Sequence, residues 1–384
     1  MRVCIIRNAE SRTNAALFRI ISAMVDSGKS CLLLTRNRYS KGTKKRVVKK
    51  AHKYKNHKLA NYEINIKSTS GNGLRNILEL IYYQWVVFVW LIKNHRKYDI
   101  IHAFDLDSGL PVAIASKILR REYVYHIADF YIDSRIGIPK LLKNIIKRLE
   151  YIIINNANTT IICTEERKQQ IKGSKPRKLV VVHNTPSIRM LNKDECNNKA
   201  PLSNLEERKI TFTYVGGLNE RRFIKSIINI FKRRPEFILQ LAGMGALSTY
   251  AEQASKDFKN IEYYGMINYE KALELYAKCD VMFAIYDPEV PNHRYSAPNK
   301  VYEAMQNGKP IIVAKNTGVD AIVRQEDMGF IIDYDMVDFE RVLKTISKNK
   351  QILKKYGENA SKAYENYSWD MMKDRLSKIY ENKI

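Results

Sequence analysis

The sequence is poor in the features that define several large protein classes. Only 16 Gly and 10 Pro occur in 384 residues, which excludes collagen-like repeats and low-complexity scaffolds. Cysteine is scarce as well: Cys4, Cys31, Cys163, Cys196 and Cys279 are odd in number and widely spaced. With no CxxC pair and no Cys/His cluster, they indicate neither a disulfide framework nor a zinc site. Long hydrophobic runs are missing too. The longest, Leu80–Ile92, has 13 residues with Gln84 among them, short of the roughly 20 that a membrane-crossing helix needs. The opening Met1–Arg7 is too short an apolar run for a signal peptide and reads as a buried strand. The expectation is a chain of a reducing, cytoplasmic compartment, able at most to rest on a membrane surface.

Acidic residues are scarce in one half only. The chain carries 66 Lys plus Arg against 40 Asp plus Glu, a net charge of +26. Residues 1–190 hold 36 basic and 13 acidic side chains, whereas residues 191–384 hold 30 and 27. The asymmetry suggests two domains with different electrostatic tasks, and the length suits two cores of ordinary size. A content of 45% hydrophobic and 28% charged residues excludes a disordered chain.

What is present is an alternation of short β-branched runs with longer amphipathic stretches, the pattern of βα units around a parallel sheet. In the first half the strand candidates are Val3–Ile6, Cys31–Thr35, Ile100–Ala103, Tyr123–His126, Thr160–Cys163 and Leu179–Val182. Helices are expected over about Asn14–Ser27, Leu74–His95, Gly109–Leu119, Pro139–Asn155 and Glu165–Lys172. The scheme restarts with Ile210–Val215, Phe237–Ala242, Ile261–Tyr264, Val281–Ala284, Pro310–Val313 and Gly329–Ile332. Between the two series, the Pro-, Asn- and Lys-rich stretch beyond Asn184 reads as a linker. The expected organisation is an α/β chain of two Rossmann-like doubly wound domains facing across a cleft. They span residues 1–186 and 208–368, with a linker at 187–207 and a last helix at 369–384 that packs back toward the first domain. Such sheets bind ligands at the carboxyl ends of their strands, so the strand-to-helix loops are where chemistry is sought.

Three such loops stand out. In Tyr214-Val215-Gly216-Gly217-Leu218-Asn219-Glu220-Arg221-Arg222, two glycines let the backbone approach a ligand. The two arginines could complete a diphosphate site; the same residues would serve equally as a glycine turn before a solvated helix. In Leu241-Ala242-Gly243-Met244-Gly245 the glycines are better explained by tight strand–helix packing. The third is Tyr295-Ser296-Ala297-Pro298-Asn299-Lys300-Val301-Tyr302-Glu303-Ala304-Met305, followed by Gly308-Lys309-Pro310. There Ser296 would cap a helix with Pro298 in its first turn. Amides around Asn299 and Lys300 would be free to bind a phosphate, and Glu303, one turn on, could take both ribose hydroxyls. Gly308 would end the helix. An ordinary capped helix with a surface Glu303 is the alternative.

The run Pro298–Met305 with Gly308-Lys309-Pro310 resembles the nucleotide-sugar motif of GT-B-fold glycosyltransferases, in particular the family-four retaining group, glycosyl transferases group 1. Asn260–Gly265, Tyr276–Val281, Ile101–Asp105 and Val182–Pro186 are similar to other parts of that pattern, in the right order. The resemblance implies a retaining, metal-independent hexosyl- or N-acetylhexosaminyl-type transferase. It has no cofactor, and a nucleotide-diphosphate sugar is its donor substrate. Gly216 and Gly217 would lie beside the donor diphosphate, with Arg222 or Arg221 as its clamp. Gly265 and Met266 would meet the base, Asn299, Lys300 and Val301 the phosphates, and Glu303 the ribose. The departures are Tyr295 where an acid is common, Pro298 for a glycine, and Gly217 for an arginine; Asp287 or Glu289 could substitute for the missing acid. In the first domain, Tyr125–Tyr131 resembles the loop in which a His or acid faces sugar and acceptor. Ala128 stands at the usual His position, leaving His126 and Asp129 as catalytic candidates. Asp107 is a weaker one, because it or Ser108 could be a helix cap. Asp105-Leu106-Asp107 has the spacing of a metal-binding triplet but lies outside the donor half, so no metal site is assigned.

The segment Arg36–Lys58 holds 11 Lys or Arg and no acid. Where it falls, a long loop or helix is expected. Its Lys44, Lys45, Arg46, Lys49, Lys50 and Lys53 form a candidate surface for an anionic membrane or for an anionic, lipid-linked acceptor. Nearby Tyr82, Tyr83, Trp85, Phe88 and Trp90 could dip into the membrane interface, but at helical spacing most of them read as core residues. Together these features suggest peripheral attachment on the inner face of the plasma membrane, in cell-surface polysaccharide synthesis. Nucleic acid is not expected as a partner, since no recognition module accompanies the charge. A catalytically silent GT-B scaffold that binds a sugar nucleotide or a partner enzyme is the alternative.

Overall fold

The computed structural model describes residues 1–11, 14–38, 46–67, 73–134, 138–186, 205 and 207–381. The chain forms two compact units, Met1–His183 with Met372–Ile384, and Asn184–Met371.

In the first unit the chain runs β1 (Arg2–Arg7), α1 (Ala15–Asp26), β2 (Ser30–Asn37), β3 (Val47–Tyr54), β4 (His57–Asn65) and α2 (Gly73–Lys93). It continues through β5 (Ile100–Phe104), α3 (Asp105–Leu119), β6 (Tyr123–Ile127), α4 (Tyr131–Ser134), α5 (Lys140–Asn156), β7 (Thr159–Ile162), α6 (Arg167–Gln170) and β8 (Leu179–Val181). The sheet order is β3-β4-β2-β1-β5-β6-β7-β8. Every pairing is parallel except β3 with β4. Val3–Ile6 and Ile100–Phe104 are continuous apolar or aromatic runs with almost no exposure, as strands covered on both faces must be. The order reverses between β1 and β5, which makes their carboxyl ends the switch point of this sheet.

The basic segment is a β-hairpin where a long loop or helix was expected. Tyr54 pairs with His57 across a two-residue turn in which Lys55 takes φ +49°, and β3 alternates Val47, Lys49, Ala51, Lys53 against Val48, Lys50, His52, Tyr54. β3 is the outermost strand, and lysines there discourage another strand from adding to the sheet. Lys44 and Lys45 lie outside the described residues. A second difference is the start of α3, four residues earlier than expected, so Asp107 and Ser108 sit inside the helix and are not caps.

The second unit comprises β9 (Ile210–Val215), α7 (Ile224–Phe231), β10 (Phe237–Ala242), α8 (Ser248–Asp257), β11 (Ile261–Tyr263), α9 (Tyr269–Lys278) and β12 (Val281–Ala284). After these come α10 (Asn299–Asn307), β13 (Ile311–Ala314), α11 (Val319–Gln325), β14 (Gly329–Ile332), α12 (Met336–Lys348) and α13 (Gln351–Tyr367). Its parallel sheet has the order β11-β10-β9-β12-β13-β14, with the switch between β9 and β12. The final helix, α14 (Trp369–Glu381), buries Met372, Leu376, Ile379 and Tyr380 along one face. It is tied to the first unit by Ser377 to Ser27 and by Arg375 Nη1 donating to the Val181 carbonyl at 3.0 Å.

Candidate functional site

The loops following β9, β10 and β11 continue the pairing of their strands. Gly216 N donates to Ala242 O at 2.9 Å, and Gly243 N to Gly265 O at 2.7 Å. A Cβ on Gly243, which takes φ +125°, would stand 1.9 Å from the Gly216 carbonyl. The second glycine motif is thus a packing requirement, and it brings the Gly216 loop to the edge of the switch point.

Across that point, α10 aims its first residues at the same loop. Lys300 is half-buried, and its Nζ lies 2.9 Å from where a Gly216 Cβ would be and 4.8 Å from the Tyr214 ring centre. Burial works against its charge, but Tyr286, Tyr214 and Glu303 outweigh it and hold the pKa above the ordinary lysine value. Arg222, in a 3-10 turn before α7, lays its guanidinium 3.9 Å over the Tyr286 ring. Arg221 is exposed and offers its carbonyl to Asp287 N, so Arg222 is the arginine directed at the site. Two cations therefore flank one glycine loop on aromatic platforms.

Glu303 sits one turn into α10, 4% exposed, and accepts from the Tyr269 hydroxyl at 3.1 Å. Gly265 takes φ +62°, and Met266 beside it is largely exposed. One expectation needs correction. Ser296 is not the cap of α10: Pro298 holds that position, and Ser296 Oγ donates to Thr317 O. The Val301 amide donates to Pro298 O at 3.3 Å. Asp287 and Glu289 are joined to each other, Glu289 N donating to Asp287 Oδ1. The C-terminal end of α10 follows expectation, with Gly308 in the left-handed region at φ +59°. Lys309 turns inward to donate to the carbonyls of Ala277 and Cys279, capping α9.

In the first unit, Asp105 carries the corresponding loops. At φ +54°, it accepts from Ala128 N at 2.8 Å and Asp129 N at 3.0 Å. Burial raises its pKa to about 6 against the pull of Arg7. Arg7 at the end of β1 stacks 4.3 Å over Phe104. Asp129 is 57% exposed, with Arg167 Nη2 at 4.0 Å. His126 is placed differently. It is 4% exposed, stacked on Phe104, with Nδ1 3.2 Å from His102 Nε2, while His102 Nδ1 meets the Tyr380 hydroxyl. Burial, His102 and the guanidinium groups of Arg7, Arg19 and Arg167 push its pKa well down, so it is neutral. Of the two candidates, Asp129 is the one that reaches solvent. Asp107 accepts from Asn8 Nδ2 at 2.7 Å inside the unit.

The basic surface divides by strand alternation. Val47 packs toward α2, so Lys49 and Lys53 share that side of the sheet, and Arg46 lies 4.9 Å over the Tyr82 ring. Lys50 faces the other way and is paired with Glu63. Arg36 is buried against Glu79 and the Ile66 carbonyl. No helix among the described residues is long and apolar enough to cross a membrane. Among those residues, no group of three His, Cys, Asp or Glu side chains could hold a metal ion.

Sequence reasoning considered only the amide of Lys300 and missed where its side chain lies, beside Gly216 and the Tyr214 ring. It also missed Tyr286 and Tyr269, whose signal is an aromatic residue just past a strand end or at a helix start on the ligand edge of the sheet.

Residues 197–363 match the family model described as glycosyl transferases group 1. Among curated proteins, the chain is similar to UDP-Gal:alpha-D-GlcNAc-diphosphoundecaprenol alpha-1,3-galactosyltransferase of Escherichia coli. The two are 23% identical over 72% of this chain and 75% of the relative. Among solved structures it resembles sucrose-phosphate synthase from Thermosynechococcus elongatus, with a TM-score of 0.71 at 12% identity over 99% of this chain and 98% of the other. It also resembles Anabaena Alr3699/HepE in complex with UDP and glucose, with a TM-score of 0.66 at 16% identity over 98% of each chain. The chain has the GT-B fold, and its residues 197–363 match the glycosyl transferases group 1.

Proposed function

We propose that this chain is a retaining glycosyltransferase that moves a hexosyl or N-acetylhexosaminyl unit from a nucleotide-diphosphate sugar to a lipid-linked or polysaccharide-precursor acceptor. It works peripherally at the cytoplasmic face of a membrane. The observation that carries the reading is the convergence of Lys300 Nζ and Arg222 on the Gly216 loop, with Glu303 one turn along the same helix. When the bond from the anomeric carbon to the diphosphate breaks, negative charge grows on the leaving phosphate. Fixed cations and helix-start amides stabilise that charge without having to reorganise. On this reading the two cations take the charge-stabilising role without a metal ion. Glu303 would bind the ribose hydroxyls, and the exposed Asp129 would face sugar or acceptor. UDP-sugars are the first donors to test, because UDP appears in the names of the galactosyltransferase relative and of the HepE complex.

The acceptor class rests on the charge of residues 1–190 and on the diphosphoundecaprenol-linked substrate in the relative's name. Slow release of nucleotide from one member of a donor panel, abolished by Glu303→Ala and by Arg222→Ala, is the expected result. Tight nucleotide binding with no turnover of any donor, with or without acceptor, would favour the silent scaffold. That alternative draws on Ala128, which offers no side-chain chemistry at a position where the family commonly has His.

A further inference from the structure

Resting on the membrane-peripheral reading, the geometry points to a specific docking surface: the outward face of α2, α3 and α5, which meets an anionic lipid surface. Large apolar side chains are exposed there at helical spacing. On α2 they are Leu78, Ile81 and Trp85; on α3, Ile114 and Ile118; on α5, Leu141, Ile145, Leu149 and Ile152. α3 lies against both other helices, so the three stripes are neighbours, and Leu141 is 76% exposed. Exposed apolar patches of this breadth on a water-soluble face mark an interaction site.

The charges on the same helices choose the occupant. Lys117 and Arg120 on and beside α3, and Lys140 and Arg148 on α5, are exposed. Arg148 lies between Ile145 and Ile152 on the α5 stripe. The only acid within α5 is Glu150, which is buried and bonded to the Tyr125 hydroxyl. Lys49 and Lys53 of β3 extend the basic rim on the same side of the sheet. A second copy of this chain docked by a two-fold axis would set these cations against themselves. An anionic bilayer satisfies both features, taking the apolar side chains below its headgroups and the cations at their level. Lys50 and Arg36, by contrast, are already paired with Glu63 and Glu79. The contact is thus the helical face with its rim, and the hairpin as a whole is not the anchor.

Trp85 makes this testable. It is 60% exposed, whereas Trp90 and Trp369 are 7% and 8% exposed. The full chain is mixed with vesicles of phosphatidylglycerol and phosphatidylcholine carrying brominated acyl chains, and with phosphatidylcholine vesicles alone. With anionic vesicles, tryptophan emission should shift to shorter wavelength and be quenched, and both changes should vanish in Trp85→Phe. Leu141→Asp with Ile145→Asp should weaken flotation on these vesicles at least about tenfold, with donor hydrolysis and the thermal melt unchanged.

Flotation with unaltered Trp85 emission and no effect of the double variant would overturn this face while leaving a membrane enzyme. Equal flotation on neutral vesicles would overturn the anionic rim. No flotation, together with a dimer in light scattering that the double variant dissociates, would overturn the lipid in favour of a second copy. In none of these cases is donor hydrolysis affected, so the glycosyl-transfer reading fails or stands separately.

Discussion

Replacing Lys300 by methionine removes the ammonium beside Gly216 and keeps the length of the side chain. That ammonium lies beside the glycine loop, with the Tyr214 ring centre at 4.8 Å. Tyr286, Tyr214 and Glu303 hold its pKa above the ordinary lysine value against the cost of burial. A hydrogen bond to a charged partner contributes about 1.5–3 kcal/mol. The nucleoside diphosphate should therefore bind Lys300→Met roughly 10- to 150-fold more weakly by titration calorimetry. If the charge counts for more on the departing phosphate than on the bound donor, kcat for donor hydrolysis falls as well, by up to about 100-fold.

Gly216→Ala reaches the same group from the other side. The added methyl would meet Lys300 Nζ at 2.9 Å, displacing the ammonium by a few tenths of an ångström. Part of its effect on affinity should be absent in the Lys300→Met background, because the displaced charge is gone, while the cost of φ +156° and of the Tyr214 hydroxyl at 3.1 Å remains; a double-mutant cycle reads that coupling. Unchanged nucleotide affinity and unchanged kcat in Lys300→Met would refute the assignment. Additive losses in the cycle would show that Gly216 acts on the ligand without Lys300.

Asp129→Ala should lower kcat for transfer while leaving the donor dissociation constant within about twofold, since the side chain belongs to the first unit and is exposed there. Asp105→Ala should also lower kcat, and in addition destabilise the fold by about 2 kcal/mol, because two amides at Ala128 and Asp129 lose their acceptor; denaturant titration measures it. In the chain Tyr380–His102–His126, a donating Tyr380 hydroxyl leaves the fewest groups unpaired. It places the His102 proton on Nε2 and the His126 proton on Nε2 as well. Nitrogen NMR should show that tautomer for His126 in the wild type and a mixture in Tyr380→Phe. His183 is held neutral by burial, with its pKa lowered to about 4. Below about pH 6.5 the unfolded chain takes a proton there that the native chain refuses, so this contribution is complete above pH 6.5 and is lost as pH falls toward 4. The stability gap between wild type and His183→Gln should therefore move against the wild type by about 2 kcal/mol from pH 7 to pH 5.

The strands were legible because both faces of each sheet are covered. Runs such as Val3–Ile6 and Ile311–Val313 have no polar interruption to disguise them. Helix α10 was legible because its limits are local: proline at the start, and a glycine at φ +59° at the end. The hairpin was not. Its alternation is carried by lysines, whose long stems cover apolar surface while their charges read as solvent-exposed. The start of α3 was invisible for another reason. It is fixed by Asp105 reaching amides 23 and 24 residues away, and no window of sequence contains that bond. Lys300 was legible by position, but the placing of its ammonium beside Gly216 was not, because a motif does not say where the side chain of a residue turns.

The charge of the first half, 36 basic against 13 acidic side chains, divides by residue type once burial is known. Arg19, Arg36 and Arg167 are buried, and Arg7 is stacked on an aromatic ring. Arginine tolerates such places because its planar, weakly hydrated guanidinium can be satisfied by carbonyls, carboxylates and ring faces. Arg36 does this with the Ile66 carbonyl and Glu79. The lysines of β3 and α5, with Arg148, remain at the surface. Only these outer charges are screened by salt over the Debye length of about 8 Å at physiological ionic strength. Attraction to an anionic surface should therefore weaken with salt in proportion to the outer cations alone, not to the +23 excess. Replacing a buried arginine would change folding before it changed that attraction, whereas replacing Lys140 or Arg148 would change the attraction and leave folding intact.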